Sequence, residues 1–178
     1  MTMTPTPTPT TPPPRAPKAE FTLKDFFPYL VRMYYRDVSL SVREVYGPDY
    51  GLTAAEWRTL AVLHDYEPLS AKEIVARSSM DKVNVSRAVA GLQRAKLLDR
   101  HVDPTDRRRV LLRVTPQGRK VLRALVPRVL EVEARLLEGF TDAERDTLIA
   151  LMQRVRDNAA ALRTLDDDHP ELLRASAE

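Results

Sequence analysis

Residues 69–114 read LSAKEIVARSSMDKVNVSRAVAGLQRAKLLDRHVDPTDRRRVLLRV, and the punctuation of this stretch decides the fold. Ser70 and Glu73 have the spacing of a capping box, with Leu69 and Ile74 placed as its hydrophobic staple. The helix they open is short and stops near Ser78-Ser79. Asp81 caps the next helix, predicted over Lys82 to Lys96, with Met80 and Val85 as staple. Val85, Ala88, Val89 and Leu92 recur at i, i+3, i+4 and i+7, which makes one buried stripe. Two short strands follow, Leu98 to Val102 and Val110 to Val114, around a loop that begins Asp103-Pro104-Thr105-Asp106. A short helix, a tight turn, an amphipathic helix and a charged hairpin together make the sequence pattern of a winged helix-turn-helix.

The flanks are helical. Upstream, Thr53 and Glu56 form another capping box, stapled by Leu52 and Trp57, and that helix runs through Leu60 and Leu63 to a stop before Pro68. Before it, a helix is expected from Asp25 as N-cap, with Pro28 in the first turn and Leu30, Tyr34, Val38, Val42 and Val45 on one face. Gly47-Pro48 ends it. Downstream, Thr115-Pro116 is an N-cap followed by proline at the first helical position. The long helix it opens carries Leu122, Leu125, Val126, Val129, Leu136 and Leu137, with Pro127 as a possible kink and Gly139 as its end. Thr141 and Glu144 box a last helix, with Leu148, Leu151, Met152, Val155, Ala159 and Leu162 on one face. The expected class is mainly α with a small β-hairpin. Residues 1–20 read as a disordered Pro/Thr-rich tail, and 166–178 as a solvated C-terminal tail.

Composition narrows the function. Between residues 72 and 123 there are fourteen Lys/Arg and five Asp/Glu, a surplus of nine in a chain whose formal net charge is +3. A basic middle with acidic ends is the footprint of a polyanion-binding module. With no cysteine in the chain, disulfides, thiolate catalysis and cysteine redox sensing are excluded. His64, His101 and His169 are spread over different elements, so no metal site and no cofactor is expected. No nucleophile with a base and no Gly-rich phosphate loop is visible, so an enzyme is not expected. There is no apolar run near the ~18 residues of a membrane span, and no apolar signal-peptide core, so a cytoplasmic address is the default.

The helix after Asp81 has the make-up of a recognition helix. With Val85 facing the core, Val83, Arg87, Ala90 and Arg94 fall on the opposite face, flanked by Asn84 and Ser86. Arg87 suits bidentate pairing with guanine, and Asn84 with adenine. Lys82, Ser86 and Arg94 suit phosphates, which position the protein without specifying sequence. At the hairpin tip, Arg107, Arg108 and Arg109 repel one another and serve no core. Arginine in a narrow minor groove meets an enhanced negative potential that offsets this repulsion. Asp106, two positions before Arg108, is placed to hold that guanidinium by a charge-assisted bond.

These motifs resemble the MarR (multiple antibiotic resistance regulator) family. The resemblance rests on Leu52-Thr53 with Glu56-Trp57-Arg58, on Asp81 through Arg87, on Asp103 through Arg108, and on Leu112-Arg113-Val114-Thr115-Pro116-Gln117-Gly118. It covers roughly residues 25–163. It implies an obligate homodimer that presents two recognition helices and two wings to a pseudo-palindromic operator in double-stranded DNA, with Arg108 as the wing arginine and Asp106 as its orienting partner. It also implies a domain spanning 21–165, with a DNA-binding lobe at about 52–115 and dimerisation helices at about 25–46 and 116–165. The function implied is that of a sequence-specific transcriptional repressor, released by a small aromatic ligand such as an aromatic acid or its acyl thioester. The ligand would lie in a crevice between the dimerisation helices and the DNA-binding lobe. Phe26, Tyr29, Arg32, Tyr35, Arg36 and Trp57 are the candidate contacts, because apolar walls with a few cations suit an aromatic carboxylate. The alternative is a ligand-independent architectural DNA-binding protein, which would bind many sequences with one steep salt slope.

Overall fold

A computed structural model describes residues 21–168, with side chains to residue 163. The predicted tail 1–20 and residues 169–178 lie outside the described residues. Two compact units divide between Leu40 and Ser41.

The first unit opens with a 3-10 turn, Leu23–Asp25, and continues into α1, Phe27–Tyr46, whose last residues belong to the second unit. The helix therefore starts one residue later than expected. Asp25 is part of the 3-10 turn, its N–H donating to the Thr22 carbonyl. Phe26 takes the capping position instead, because its carbonyl accepts from Tyr29 and Leu30. Phe21 and Phe26 meet edge to face, their ring centroids 5.3 Å apart.

The second unit holds α2 (Ala54–Tyr66), α3 (Ala71–Ser78), α4 (Lys82–Arg94), β1 (Leu98–Val102), β2 (Val110–Val114), α5 (Pro116–Leu136) and α6 (Asp142–Asp168). Each start coincides with a cap readable in the sequence. Thr53 with Glu56 and Ser70 with Glu73 close reciprocal capping boxes. Asp81 accepts from the Asn84 N–H, and Thr115 from the Gly118 N–H, ahead of Pro116. Thr141 and Glu144 close the box of α6. Ser79 ends α3 in the left-handed region at φ 55°, making the tight turn into α4. Helix α6 extends through Asp168, past the expected boundary at 165.

The hairpin is antiparallel, pairing Leu98 with Val114 and Val102 with Val110. Leu112 also bridges to Leu69 on its other edge. Its burial departs from strict alternation: Leu111, Leu112 and Val114 are buried and Val110 is exposed. The core gathers Leu60 and Leu63 of α2, Ile74 of α3, Val85 and Leu92 of α4, Leu98 and Leu112 of the hairpin, and Leu122 and Leu125 of α5. Each leucine buried in this way contributes on the order of 1.5–3 kcal/mol. Among the described residues no helix is long and apolar enough to cross a membrane.

Helix α5 approaches the turn after α4 at Gly118. A Cβ there would lie 2.4 Å from the Leu97 carbonyl oxygen and 2.7 Å from Val114. The first of these is backbone and has little room to yield. Gly118→Ala should therefore destabilise the chain by about 1–3 kcal/mol, the usual range for overpacking, as read from chemical denaturation midpoints. A variant as stable as the parent would show that α5 shifts freely against the hairpin.

Candidate nucleic-acid interface

Helix α4 turns Val85, Ala88, Val89 and Leu92 into the core and leaves Lys82, Val83, Asn84, Ser86, Arg87 and Arg94 exposed. Val83 is 56% exposed although apolar, so this face carries a hydrophobic group as well as cations. Asn84 is not free. Its Nδ2 donates to Asp81 Oδ2 at 2.6 Å, while its backbone N–H donates to Asp81 Oδ1 at 2.8 Å. That second bond and the side-chain contact both hold the Asp81 carboxyl below its ordinary value. Arg94 reaches back along its own helix, Nε donating to the Ala90 carbonyl at 3.4 Å.

The wing loop, residues 103–109, is built on aspartate- and backbone-centred bonds. Asp103 is buried, and its Oδ1 accepts from the Thr105 hydroxyl at 2.6 Å and the Thr105 N–H at 2.9 Å. The Arg109 N–H donates to the Asp106 carbonyl at 2.9 Å, closing the tip. Asp106 Oδ1 accepts from the backbone N–H of Arg108 at 3.0 Å. The charge-assisted contact expected between Asp106 and the Arg108 guanidinium is replaced by this bond, because an aspartate two residues before an amide closes an Asx-type turn. Arg107 and Arg108 make no ion pair among the described residues.

Arg109 behaves differently from its neighbours. Its Nη2 lies 2.7 Å from Glu73 Oε1 and its Nη1 3.6 Å from Asp103 Oδ2. Two carboxylates raise its affinity for the proton above the ordinary arginine range, Glu73 first through a hydrogen bond. Glu73 is in turn held down to about 2, first by the Ser70 hydroxyl, then by the Ser70 N–H, then by Arg109. The sequence marks Glu73 as a capping residue and Asp103 as the start of the hairpin loop, but pairs neither with Arg109; the Glu73–Arg109 contact spans 36 residues.

The residues expected around an effector divide between the two units. In the first unit, Phe26, Arg32, Tyr35 and Arg36 are exposed and Tyr29 is half-buried, and Arg36 pairs with its neighbour Asp37 at 3.3 Å. In the second unit, Trp57 is half-buried and stacks on Tyr46, ring centroids 5.9 Å apart. The second unit also contains a cavity of about 470 Å³ that no motif indicated, lined by His64, Glu67, Val114, Arg119, Leu122, Arg123, Val126 and Pro127. Glu67 pairs there with Arg119, and its other oxygen accepts from the Val114 N–H at 2.8 Å. No group of three or more His, Cys, Asp or Glu able to hold a metal ion occurs among the described residues.

Residues 50–109 match the sequence model of the MarR family. The HTH-type transcriptional repressor NicR of Pseudomonas putida is 25% identical over 129 residues, which span 72% of this chain and 80% of NicR. Among solved structures the chain is similar to Bordetella bronchiseptica BpsR, a protein whose DNA binding is regulated by 6-hydroxynicotinic acid. The identity is 28%, the match covers 78% of this chain and 99% of BpsR, and the TM-score is 0.71. It is also similar to the PcaV transcriptional regulator of Streptomyces coelicolor, solved in complex with its natural ligand. There the identity is 27%, the match covers 80% of this chain and 99% of PcaV, and the TM-score is 0.69.

Glu73 should leave a signature in acid. Its depressed folded value means that the stability it contributes is complete above the ordinary glutamate range and is lost as pH falls toward about 2. Glu73→Gln, which cannot ionise, should remove that component. The stability gap between parent and variant should be widest near neutrality and close on acidification, as followed by thermal unfolding between pH 7 and 2.5. A gap independent of pH would mean that the Glu73 charge contributes nothing.

Proposed function

We propose that the chain is a DNA-binding transcriptional regulator of the MarR family, a homodimeric repressor whose operator is released by an aromatic acid or its acyl thioester. The observation that carries the DNA-binding part is the joint exposure of two elements in one lobe. These are the polar and basic face of α4 and the wing tip, whose Arg107 and Arg108 are uncommitted to ion pairs among the described residues. Arg87 reads a base edge, Lys82, Ser86 and Arg94 hold phosphates, and Arg108 enters the minor groove.

Dimerisation follows from what α6 leaves uncovered. Leu148, Leu151, Met152, Val155 and Leu162 are all exposed in the single chain. A stripe of that kind on one long helix is a surface to be buried against another copy. The regions expected at about 25–46 and 116–165 would share that role.

The effector reading is supported by BpsR, whose DNA binding responds to an aromatic acid. We place the effector in the cavity beside α5. Leu122, Val126 and Pro127 offer an apolar wall, and Arg119, Arg123 and His64 offer groups for a carboxylate. Glu67 ties this cavity to β2, with one oxygen on Arg119 and the other on the Val114 N–H. An anion that draws Arg119 away from Glu67 alters the charge at the base of the wing. It can release DNA only through its different affinity for the bound and free conformations.

Selection from a random duplex library should enrich one pseudo-palindromic sequence. On it, Arg87→Ala should lose about 1–3 kcal/mol of discrimination at one base position, measured with single-base variants. Enrichment of no sequence, with one steep salt slope for all, would instead identify an architectural binder. In the same assay 6-hydroxynicotinic acid and benzoic acids should lower operator affinity, and Arg123→Ala should weaken that response about tenfold, equivalent to 1.4 kcal/mol. If Arg123→Ala responds normally while Arg32→Ala or Arg36→Ala does not, the effector engages the first helix with Phe26, Tyr29 and Tyr35, and not this cavity.

A further inference from the structure

Glu73 sits at the third position of α3, where its capping box uses only one carboxylate oxygen. Oε2 accepts from the Ser70 N–H at 2.8 Å and from the Ser70 hydroxyl at 2.7 Å. Oε1 is left over, and it accepts from Arg109 at 2.7 Å. The second nitrogen of the same guanidinium faces Asp103, the residue at the opposite end of the wing loop. The Asp103 N–H donates to the Arg109 carbonyl at 2.9 Å, so backbone and side chain close the loop at the same point. One arginine thus joins the first helix of the helix-turn-helix to both ends of the wing loop.

We propose that Arg109 is a positioning residue of the wing and not a DNA contact: its guanidinium tethers loop 103–109 to α3 through Glu73 and Asp103, and so fixes where Arg107 and Arg108 are presented. This assigns Arg109 a role different from the phosphate or groove contact that its place in a triple-arginine run suggests. A guanidinium flanked by two carboxylates gives little net attraction to a phosphate. A seven-residue loop with no tether samples many orientations, and ordering it on binding costs affinity. Arg107 and Arg108, which have no ionic partner among the described residues, are the ones left to meet DNA. The Arg109 side chain is 43% exposed against 8% for Asp103, so the tether is anchored on the buried side of the loop and open on the other.

The inference rests on the DNA-binding reading, and its test separates the two. Amide hydrogen exchange of residues 103–109 is followed in the free protein for the parent, Arg109→Ala, Arg109→Lys and Glu73→Gln. Affinity for the duplex enriched by the parent is then measured across a series of KCl concentrations. The expected result is exchange at least tenfold faster in the loop for Arg109→Ala and Glu73→Gln. Affinity should fall about tenfold in each, and the double variant should be no worse than either single one. The salt slope should match the parent, and Arg109→Lys, which cannot bridge both carboxylates, should share the defect. A direct phosphate contact would overturn this. Arg109→Ala would then reduce the slope by about one, Arg109→Lys would bind normally, and Glu73→Gln, having lost an acid, would bind as tightly or more so. Unchanged loop exchange in all variants would also overturn it. If the parent enriches no DNA, the DNA-binding reading fails, and the exchange measurements alone decide whether the tether exists.

Discussion

Leu112 exchanges both of its backbone hydrogen bonds with Leu69, at 2.8 and 3.4 Å, while the strand it belongs to pairs along its other edge with β1. At Leu112 the strand is thus hydrogen-bonded on both edges. The rest of the lobe hangs on it. Leu69 is the residue that precedes the Ser70 cap of α3, so the position of α3 is set by the same strand that carries the wing. The Val114 N–H at the far end is taken by Glu67 at the close of α2. Two helices and β1 are therefore registered against β2, and the apolar core fills the space that this registration leaves.

The parts of this arrangement that were legible in the sequence are those whose physics is local. A Ser or Thr three residues before a Glu satisfies two orphan helix amides whatever the surroundings, which is why the starts of α2, α3 and α6 fall where expected. Alternation and turn residues placed both strands to the residue. The start of α1 was missed because Leu23–Asp25 forms its own 3-10 turn, an option that a capping pattern does not distinguish from a helix start. The extent of α6 differs because three consecutive aspartates read as solvated chain, whereas the helix continues through them.

The candidate site divides along the same line. Which α4 residues are exposed follows from a 100° step per residue, and periodicity supplies it. What each side chain is bonded to does not follow. Asn84 turning back to Asp81, Asp106 engaging a backbone amide and Arg109 reaching Glu73 are choices among partners of similar chemistry, and only the fold decides among them. The cavity beside α5 was illegible for a stronger reason. His64, Val114 and Arg123 share no spacing, and their meeting is a product of how α2, β2 and α5 pack.

The basic surface itself has an explanation in these bonds. Five acids lie between residues 72 and 123, and their charge alone would offset a third of the fourteen cations. Four of the five are turned toward backbone amides: Glu73 to Ser70, Asp81 to Asn84, Asp103 to Thr105 and Asp106 to Arg108. The fifth, Asp99, stands opposite Arg113 in the hairpin register. An acid that caps a helix or closes a turn has its charge met by oriented N–H dipoles within hydrogen-bond distance, and at the same place it supports the backbone that carries the cations. The acids of this lobe thus act as local scaffolding for it. Cations such as Lys82, Arg87, Arg107 and Arg108 have no comparable local use for their charge and are left facing outward. The two signs therefore have different partners and are used at different distances. The acids act at 2.6–3.0 Å from their own backbone and side-chain partners. The cations act across the solvent gap, over about a Debye length, 8–10 Å at physiological salt, where a polyanion would approach.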